Sequence, residues 1–250
     1  MEQKNAVAFA ESITSGQLSL ILKEGVQDEN DPDKFREPTL EEVLLDPDFL
    51  AEARMQNEAV CAYFTFERVL QVVNYITQEP KFDDSHKRCF ILPKIACECF
   101  CDIRIQCFVD HLFTFKDGKL TILDKMLEFY NLPCPHLTGK GSKRLNQTLG
   151  GYLHKILSYW LMKKPNIILN YLLEPKRKLF FVEAMFNHLY LASCITDLVV
   201  RLCTVSQVPE DVDLASYEEL RQDIAAHCIN QLDTFEDNEY LTWQIFEILT

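Results

Sequence analysis

The chain has 250 residues, 48% of them hydrophobic and 25% charged, so it is long enough for a core without covalent staples and too apolar for disorder. Its formal net charge of −13 argues against phosphate-backbone binding, which needs a lysine- and arginine-rich surface, so nucleic acid is not an expected partner. No apolar run approaches the roughly 20 residues that cross a bilayer, so no membrane insertion is expected, and MEQKNAVAFAESITSG at the start does not read as a secretory signal.

Residues 1 to 38 are expected to form an N-terminal flexible segment with at most a short helix in SGQLSLILKEG, because EGVQDENDPDKFRE (24 to 37) is polar and aperiodic and reads as a linker. From 39 onward the punctuation is helical. Thr39 with Glu42 forms a capping box in TLEE, and Asp46-Pro47 places a cap before a first-turn proline. Apolar residues then recur every three or four positions: Val69, Leu70, Val72, Val73 and Ile76, next Ile105, Phe108, Val109 and Leu112, next Leu120, Leu123, Leu127 and Tyr130. The series continues with Leu145, Leu149, Tyr152, Ile156 and Trp160, then Ile195, Leu198, Val199 and Leu202, and more weakly Tyr217, Leu220 and Ile224. Prolines 80, 133, 165, 175 and 209 fall between these stripes, and Asp117-Gly118 marks a turn. Gly150-Gly151 interrupts one stripe, so either that helix breaks or another backbone packs against it.

Short helices, each too thin to bury its own face, predict an all-α fold of stacked helix pairs: an irregular armadillo/HEAT-like helical solenoid (α-α superhelix) over 39–250, with an irregular bundle as the rival. The charge is uneven. Residues 24 to 58 carry 12 acidic and 3 basic side chains (−9), 133 to 178 carry 1 and 9 (+8), and 210 to 247 carry 11 and 1 (−10). The basic island consists of Lys140, Lys143, Arg144, Lys155, Lys163, Lys164, Lys176, Arg177 and Lys178, which either coat solvated helix faces or steer an acidic partner.

Catalytic constellations are not evident. Cys97, Cys99 and Cys101 lack the second pair of ligands that a zinc site needs, and the ten cysteines without a secretion signal read as reduced thiols of a cytoplasmic or nuclear protein. Asp84-Ser85-His86 has an Asp-x-His order but none of the further Asp, His and Asn ligands of a two-metal phosphatase, and Asn187-His188 lies in a helical run. GKGSK at 139 to 143 lacks the phosphate-loop spacing, and His154 sits within a helix rather than in a convergent site. No cofactor, no metal and no enzymatic activity are expected.

Several segments, read in order, carry a resemblance. TLEEVLLDPDFL (39 to 50), Gln56-Asn57, VVNYITQEP (72 to 80), PKIACE (93 to 98), LGGYLHKILSYWLMKKPNIILNYL (149 to 172), ITDLVVRL (195 to 202) and LRQDI (220 to 224) together resemble the SAPS domain. That family comprises regulatory subunits of protein phosphatase 6-type serine/threonine phosphatases. The resemblance spans about residues 39 to 229, and it implies an all-helical, non-catalytic subunit that binds a phosphatase catalytic subunit and directs its substrate choice, with a further scaffold subunit as another partner. It also implies a domain that continues past EYLTWQIFEILT, so the chain is expected to be either truncated at the C-terminus or a shortened member of the family. On this reading Gln78, Glu79 and Pro80 are the first candidates for partner contact, followed by Asn57, Glu98, Asp197, Arg201 and Arg221. A generic helical-repeat adaptor without phosphatase binding is the alternative, since it would share every periodicity.

Overall fold

A computed structural model describes residues 17–28, 31–114, 121–131, 146–189, 193–205, 207–234 and 239–250. The Asp117-Gly118 turn, Pro133, the GKGSK stretch and the basic residues Lys140, Lys143 and Arg144 lie outside the described residues. The chain divides into two compact units, Met1–Asp124 and Lys125–Thr250. Both are helical, and the expected all-α class is the observed one; among the described residues the strands are confined to one short hairpin.

In the first unit, α1 (Gln17–Glu24) packs on α4 (Glu58–Tyr63), and α2 (Leu40–Leu45) packs on α6 (Leu92–Phe100). Between them α3 (Phe49–Arg54), α5 (Phe66–Thr77) and α7 (Gln106–Leu112) complete the layers, with α5 against both α6 and α7. The stripe Val69, Val72, Val73 and Ile76 is fully buried, as sequence periodicity requires of a helix with one apolar face. Phenylalanines tie the layers together. Phe64, at the end of α4, lies 5.3 Å from Phe49 of α3 and 4.9 Å from Phe108 of α7, whose ring meets Phe100 of α6 edge-on at 5.3 Å. Each such pair contributes about 0.5–1.5 kcal/mol beyond its buried area.

Within 24 to 37, where a linker is expected, most of the described residues form regular secondary structure. Gly25, at φ 91°, closes α1 by donating to the Ile21 carbonyl (2.9 Å), and the chain turns into an antiparallel hairpin, β1 (Val26–Asp28) with β2 (Asp31–Arg36). A Cβ on Gly25 would stand 2.8 Å from the Arg36 carbonyl oxygen, so the turn needs glycine. The hairpin's end is fixed to α2: Arg36 donates two hydrogen bonds to the Glu42 carboxylate (2.8 and 2.5 Å), and the buried Tyr63 hydroxyl donates to the Pro38 carbonyl at 2.9 Å. These long-range bonds leave no periodic trace in the sequence.

The capping box is present, with Glu42 N donating to Thr39 Oγ1 (3.3 Å) and Thr39 N donating to Glu42 Oε2 (2.7 Å). The Asp46-Pro47 signal is displaced. Asp46 Oδ1 accepts from the Asp48 amide at 2.9 Å, making a side-chain turn, and α3 begins only at Phe49.

In the second unit, α9 (Gln147–Lys163) packs on α10 (Pro165–Leu172) and α12 (Ser193–Cys203), α11 (Pro175–His188) packs on α10 and α13 (Leu214–Thr234), and α14 (Glu239–Leu249) packs on α12 and α13. α8 (Thr121–Glu128) spans the boundary between the units. Leu149, Leu153, Ile156 and Trp160 are buried in α9, as are Ile195, Leu198, Val199 and Leu202 in α12. The buried Tyr217 hydroxyl donates to the Leu202 carbonyl at 2.6 Å, fixing α13 to the last turn of α12.

Neither alternative posed by Gly150-Gly151 holds at Gly151. The helix runs through both glycines, and a Cβ on Gly151 would meet nothing within 4 Å. Gly151→Ala should therefore remove only the backbone-entropy cost of glycine, raising stability by about 0.5–1 kcal/mol and the melting midpoint by roughly 1–4 °C, as measured by thermal denaturation.

Candidate partner-binding surface

The end of α5 is the best-defined feature near the residues singled out by sequence. Proline at 80 ends the helix, and the last-turn carbonyls then lack intrahelical partners. Arg88 supplies them. Its guanidinium donates to the carbonyls of Gln78 (2.9 Å) and Tyr75 (3.4 Å) and adds a second bond (3.4 Å) to that of Asn74, which already accepts from the Gln78 amide at 3.0 Å; it lies 5.1 Å from the Tyr75 ring centre. A cation at a helix C-terminus also opposes the negative end of the helix dipole. Gln78 adds a side-chain bond, Nε2 to Asn74 Oδ1 at 3.0 Å, and its side chain is exposed, whereas Glu79 and Pro80 are half-buried.

The connection from 81 to 91 is built of local bonds. Lys81 N donates to Asp84 Oδ2 (2.7 Å), Asp84 N returns to the Lys81 carbonyl (3.2 Å), and Arg88 N donates to Ser85 Oγ (3.2 Å). The chain then enters a π-helical turn, Lys87–Ile91, that runs directly into α6. The result places three apolar side chains outside: Phe82 at 108% relative exposure, Phe90 at 58% and Ile91 at 36%. His86 packs against Phe90, with ring centres 5.0 Å apart. His86 is exposed and Asp84 is occupied within the turn, and among the described residues no three His, Cys, Asp or Glu side chains are grouped to hold a metal ion.

Asn57 has an internal task. Its Oδ1 caps α4, accepting from Ala59 N (3.0 Å) and Val60 N (3.5 Å), while its own N–H reaches the Glu52 carbonyl (3.1 Å) and Gln56 N the Ala53 carbonyl (3.1 Å). Those two backbone bonds, with Gln56 at φ 57°, are the 6→1 and 5→2 closure of a helix by a left-handed residue, here made without glycine. Glu98 is half-buried in the last turn of α6. That end of α6 is held by Asp102, whose side chain is 13% exposed and accepts from Arg54 Nε (2.8 Å) and from Arg104 Nε and NH2 (2.9 and 2.8 Å). Arg104 first, and Arg54 with it, hold the Asp102 carboxyl well below the usual carboxylate range, against the opposing effect of burial. Arg88 and Arg54 thus mark opposite ends of the α6 layer, with Gln78, Glu79 and Pro80 at one end and Asn57 and Glu98 at the other.

The remaining sequence candidates lie in the second unit. Asp197 and Arg201 are exposed one turn apart on α12, and among the described residues neither forms an ion pair. Arg201 lines a cleft of about 400 Å³ with Ser158, Leu161, Met162, Pro165 and Gln207. Among the described residues its lining holds no carboxylate, histidine or thiol. Burial lowers the His154 pKa, Asp197 opposes that and Arg201 adds to it. Arg221 is half exposed and pairs with Glu218 at 3.1 Å within α13, an arrangement worth no more than about 0.5 kcal/mol.

The basic island is partly consumed within its own unit. Lys178 of α11 bonds Glu219 (2.8 Å) and Asp223 (3.1 Å) of α13, and Arg177 lies 4.3 Å from the Tyr171 ring centre. The cysteines act as small apolar groups: Cys97 and Cys101 sulfurs are 3.9 Å apart on one helix face, and burial pushes the Cys99 thiol up.

Sequence reading missed Arg88, Phe82, Phe90 and Ile91. An arginine that caps a helix ten residues before it has no local signature, and an apolar residue in a polar loop is visible only as a composition anomaly.

Comparison with known proteins finds relatives for most of this chain. It is 30% identical over 189 residues to serine/threonine-protein phosphatase 6 regulatory subunit 3-B of Xenopus laevis, covering 75% of this chain and 19% of that protein. It is 27% identical over 173 residues to regulatory subunit 3 of Gallus gallus (69% of this chain, 18% of that protein). It is 25% identical over 194 residues to regulatory subunit 2 of Homo sapiens (77% and 17%). The chain therefore spans less than a fifth of the length of these relatives. No family model and no solved structure matches it.

Two consequences can be measured. Arg88→Ala should lower stability by about 1–2 kcal/mol in chemical denaturation, because charge-assisted bonds to the carbonyls at the end of α5 are lost. The Glu42 carboxyl, held by Arg36 and then by the Thr39 amide, is depressed from 4.5 to about 2. Its contribution is therefore complete above pH 4.5 and is lost as pH falls toward 2. The stability difference between wild type and Glu42→Gln should vanish over that window, from less than about 1 kcal/mol at neutral pH since the pair is exposed.

Proposed function

The chain is a relative of the SAPS-domain family of protein phosphatase 6 regulatory subunits, and from that premise we propose that it is a non-catalytic subunit that binds a protein phosphatase 6-like catalytic subunit and directs its substrate choice. The observation that carries the proposal is the relationship itself, at 25% to 30% identity over 66% to 77% of the chain with five relatives named as regulatory subunits. The all-α fold agrees with it. Stacked short helices place inter-helix connections along an edge, which suits the recognition of a second globular protein. Dephosphorylation then takes place in the partner, and this chain contributes binding energy and selectivity. A further scaffold subunit completes the assembly, in the cytoplasm or nucleus.

Gln78, Glu79 and Pro80 remain the first contact candidates. The connection they open is held by Arg88, and Gln78 presents an exposed side chain there. Asn57 is the weakest of the set, because its side-chain oxygen already serves α4.

The test uses the purified full chain with the purified protein phosphatase 6 catalytic subunit. The two should co-elute from a size-exclusion column, and the chain alone should leave a phosphopeptide intact. Gln78→Ala/Glu79→Ala should weaken association about tenfold while leaving the circular-dichroism spectrum unchanged. Separate elution of the two wild-type proteins, or phosphate release by the chain alone, would sink the reading.

A further inference from the structure

The connection between α5 and α6 has the makings of a docking knob. Aromatic side chains that project fully into water lose nothing on being covered and dominate the energetics of interfaces when they fill a pocket. Phe82 projects completely and Phe90 more than half. Both stand on backbone that is already fixed. The Lys81–Asp84 bonds close the turn under Phe82, His86 packs on Phe90, and Arg88 clamps the base of the connection to the end of α5. Ordering this segment on binding therefore costs little, because its conformation is set in advance.

The charges beside the aromatics indicate what would cover them. Lys87, Phe90, Ile91 and Lys94 are all exposed and recur every three or four residues through the π-helical turn into α6. They form one stripe, apolar in the middle and cationic at each end. Lys81 is exposed beside Phe82; Asp83 is the one exposed carboxylate within the connection, and Asp84 is committed to the turn.

We infer that Phe82, Phe90 and Ile91, rimmed by Lys81, Lys87 and Lys94, anchor the chain to an apolar pocket with an acidic rim on the phosphatase catalytic subunit. The inference rests on the functional reading above and assigns that contact to residues outside the set chosen from sequence. A protein is favoured over a lipid surface, because the relatives this chain matches are named as regulatory subunits of a phosphatase, which supplies a protein to cover the patch.

The experiment measures binding of immobilised full-length chain to purified protein phosphatase 6 catalytic subunit, by interferometry, at low and high salt. Phe82→Ser/Phe90→Ser should weaken affinity at least about 30-fold, mainly through faster dissociation. Lys87→Glu/Lys94→Glu should weaken it about tenfold at low salt, mainly through slower association, and flatten the salt dependence. Lys155→Glu/Lys163→Glu, on the exposed face of α9, should behave as wild type. If wild type binds and both connection variants bind equally well, this inference is overturned while the function stands. If the aromatic variant fails and the charge variant does not, the acidic rim is wrong. If wild type does not bind, the functional reading itself has failed. Wild-type binding to phosphatidylserine vesicles that Phe82→Ser/Phe90→Ser abolishes would overturn the choice of a protein partner. Because all substituted side chains are exposed, unchanged far-ultraviolet circular dichroism is expected of each variant.

Discussion

Every helix leaves its last carbonyls without intrahelical partners, and how a chain satisfies them determines the shape of its connections. This chain has unusually little freedom in the matter. No glycine occurs between Gly25 and Gly118, so the usual left-handed glycine closure is not available anywhere from α2 to α7. Arginines substitute for it. Arg68 donates to the Tyr63 carbonyl at the end of α4 (2.8 Å) with its guanidinium 3.9 Å from the Tyr63 ring centre, and Arg88 does the same at the end of α5 over Tyr75. Where the left-handed conformation is used, at Gln56, a non-glycine residue bears it. Two connections of the first unit, those after α4 and α5, are consequently held by arginine side chains returning from later in the sequence.

Electrostatics within the second unit follows the same economy. Two segments of opposite charge, 133 to 178 and 210 to 247, meet through Lys178 with Glu219 and Asp223, and through Asn166 Nδ2 donating to Asp211 Oδ2 at 3.2 Å. Part of the basic island is thus an internal fastening of α11 to α13 and not a steering surface. The cations that remain outward in the described residues, Lys155 and Lys163 on α9, are solvated single charges whose fields are screened within about 10 Å at 0.1 M salt.

Much of the fold was legible because its signals are local. A buried stripe such as Val69 to Ile76 repeats with the helix, and the Thr39–Glu42 box is complete within four residues. The features that escaped are those closed by distant partners. The 24 to 37 segment has linker composition, yet Arg36 meets Glu42 and Tyr63 meets Pro38, so tertiary bonds override composition. Gly150-Gly151 reads as a break or a close backbone approach, but the fifteen other positions of α9 hold the helix through its buried face, and two glycines do not outweigh them. For the candidate site, motif likeness pointed to Gln78, Glu79 and Pro80, beside the end of α5, without distinguishing them from Asn57, whose side chain caps a helix. Periodicity treats every apolar residue as core, so it could not separate the outward Phe82 and Phe90 from the inward Phe64 and Phe100.

That separation bears on how any effect at this surface is to be read. Arg88 bonds the Gln78 carbonyl, so Gln78 is coupled to the clamp through its backbone and to a partner only through its side chain. Side-chain substitution at Gln78 leaves the carbonyl in place and the clamp intact. Removing Arg88 does the reverse: it frees the connection and adds an ordering cost to binding without deleting a contact group. A loss of affinity in the first case that is matched in dissociation rate, against a loss in the second that tracks the stability of the α5 terminus, would separate contact from preorganisation. The same distinction explains why a connection can be both the least buried part of a helical stack and its most exactly placed, since its position is set by carbonyls that the helices could not satisfy alone.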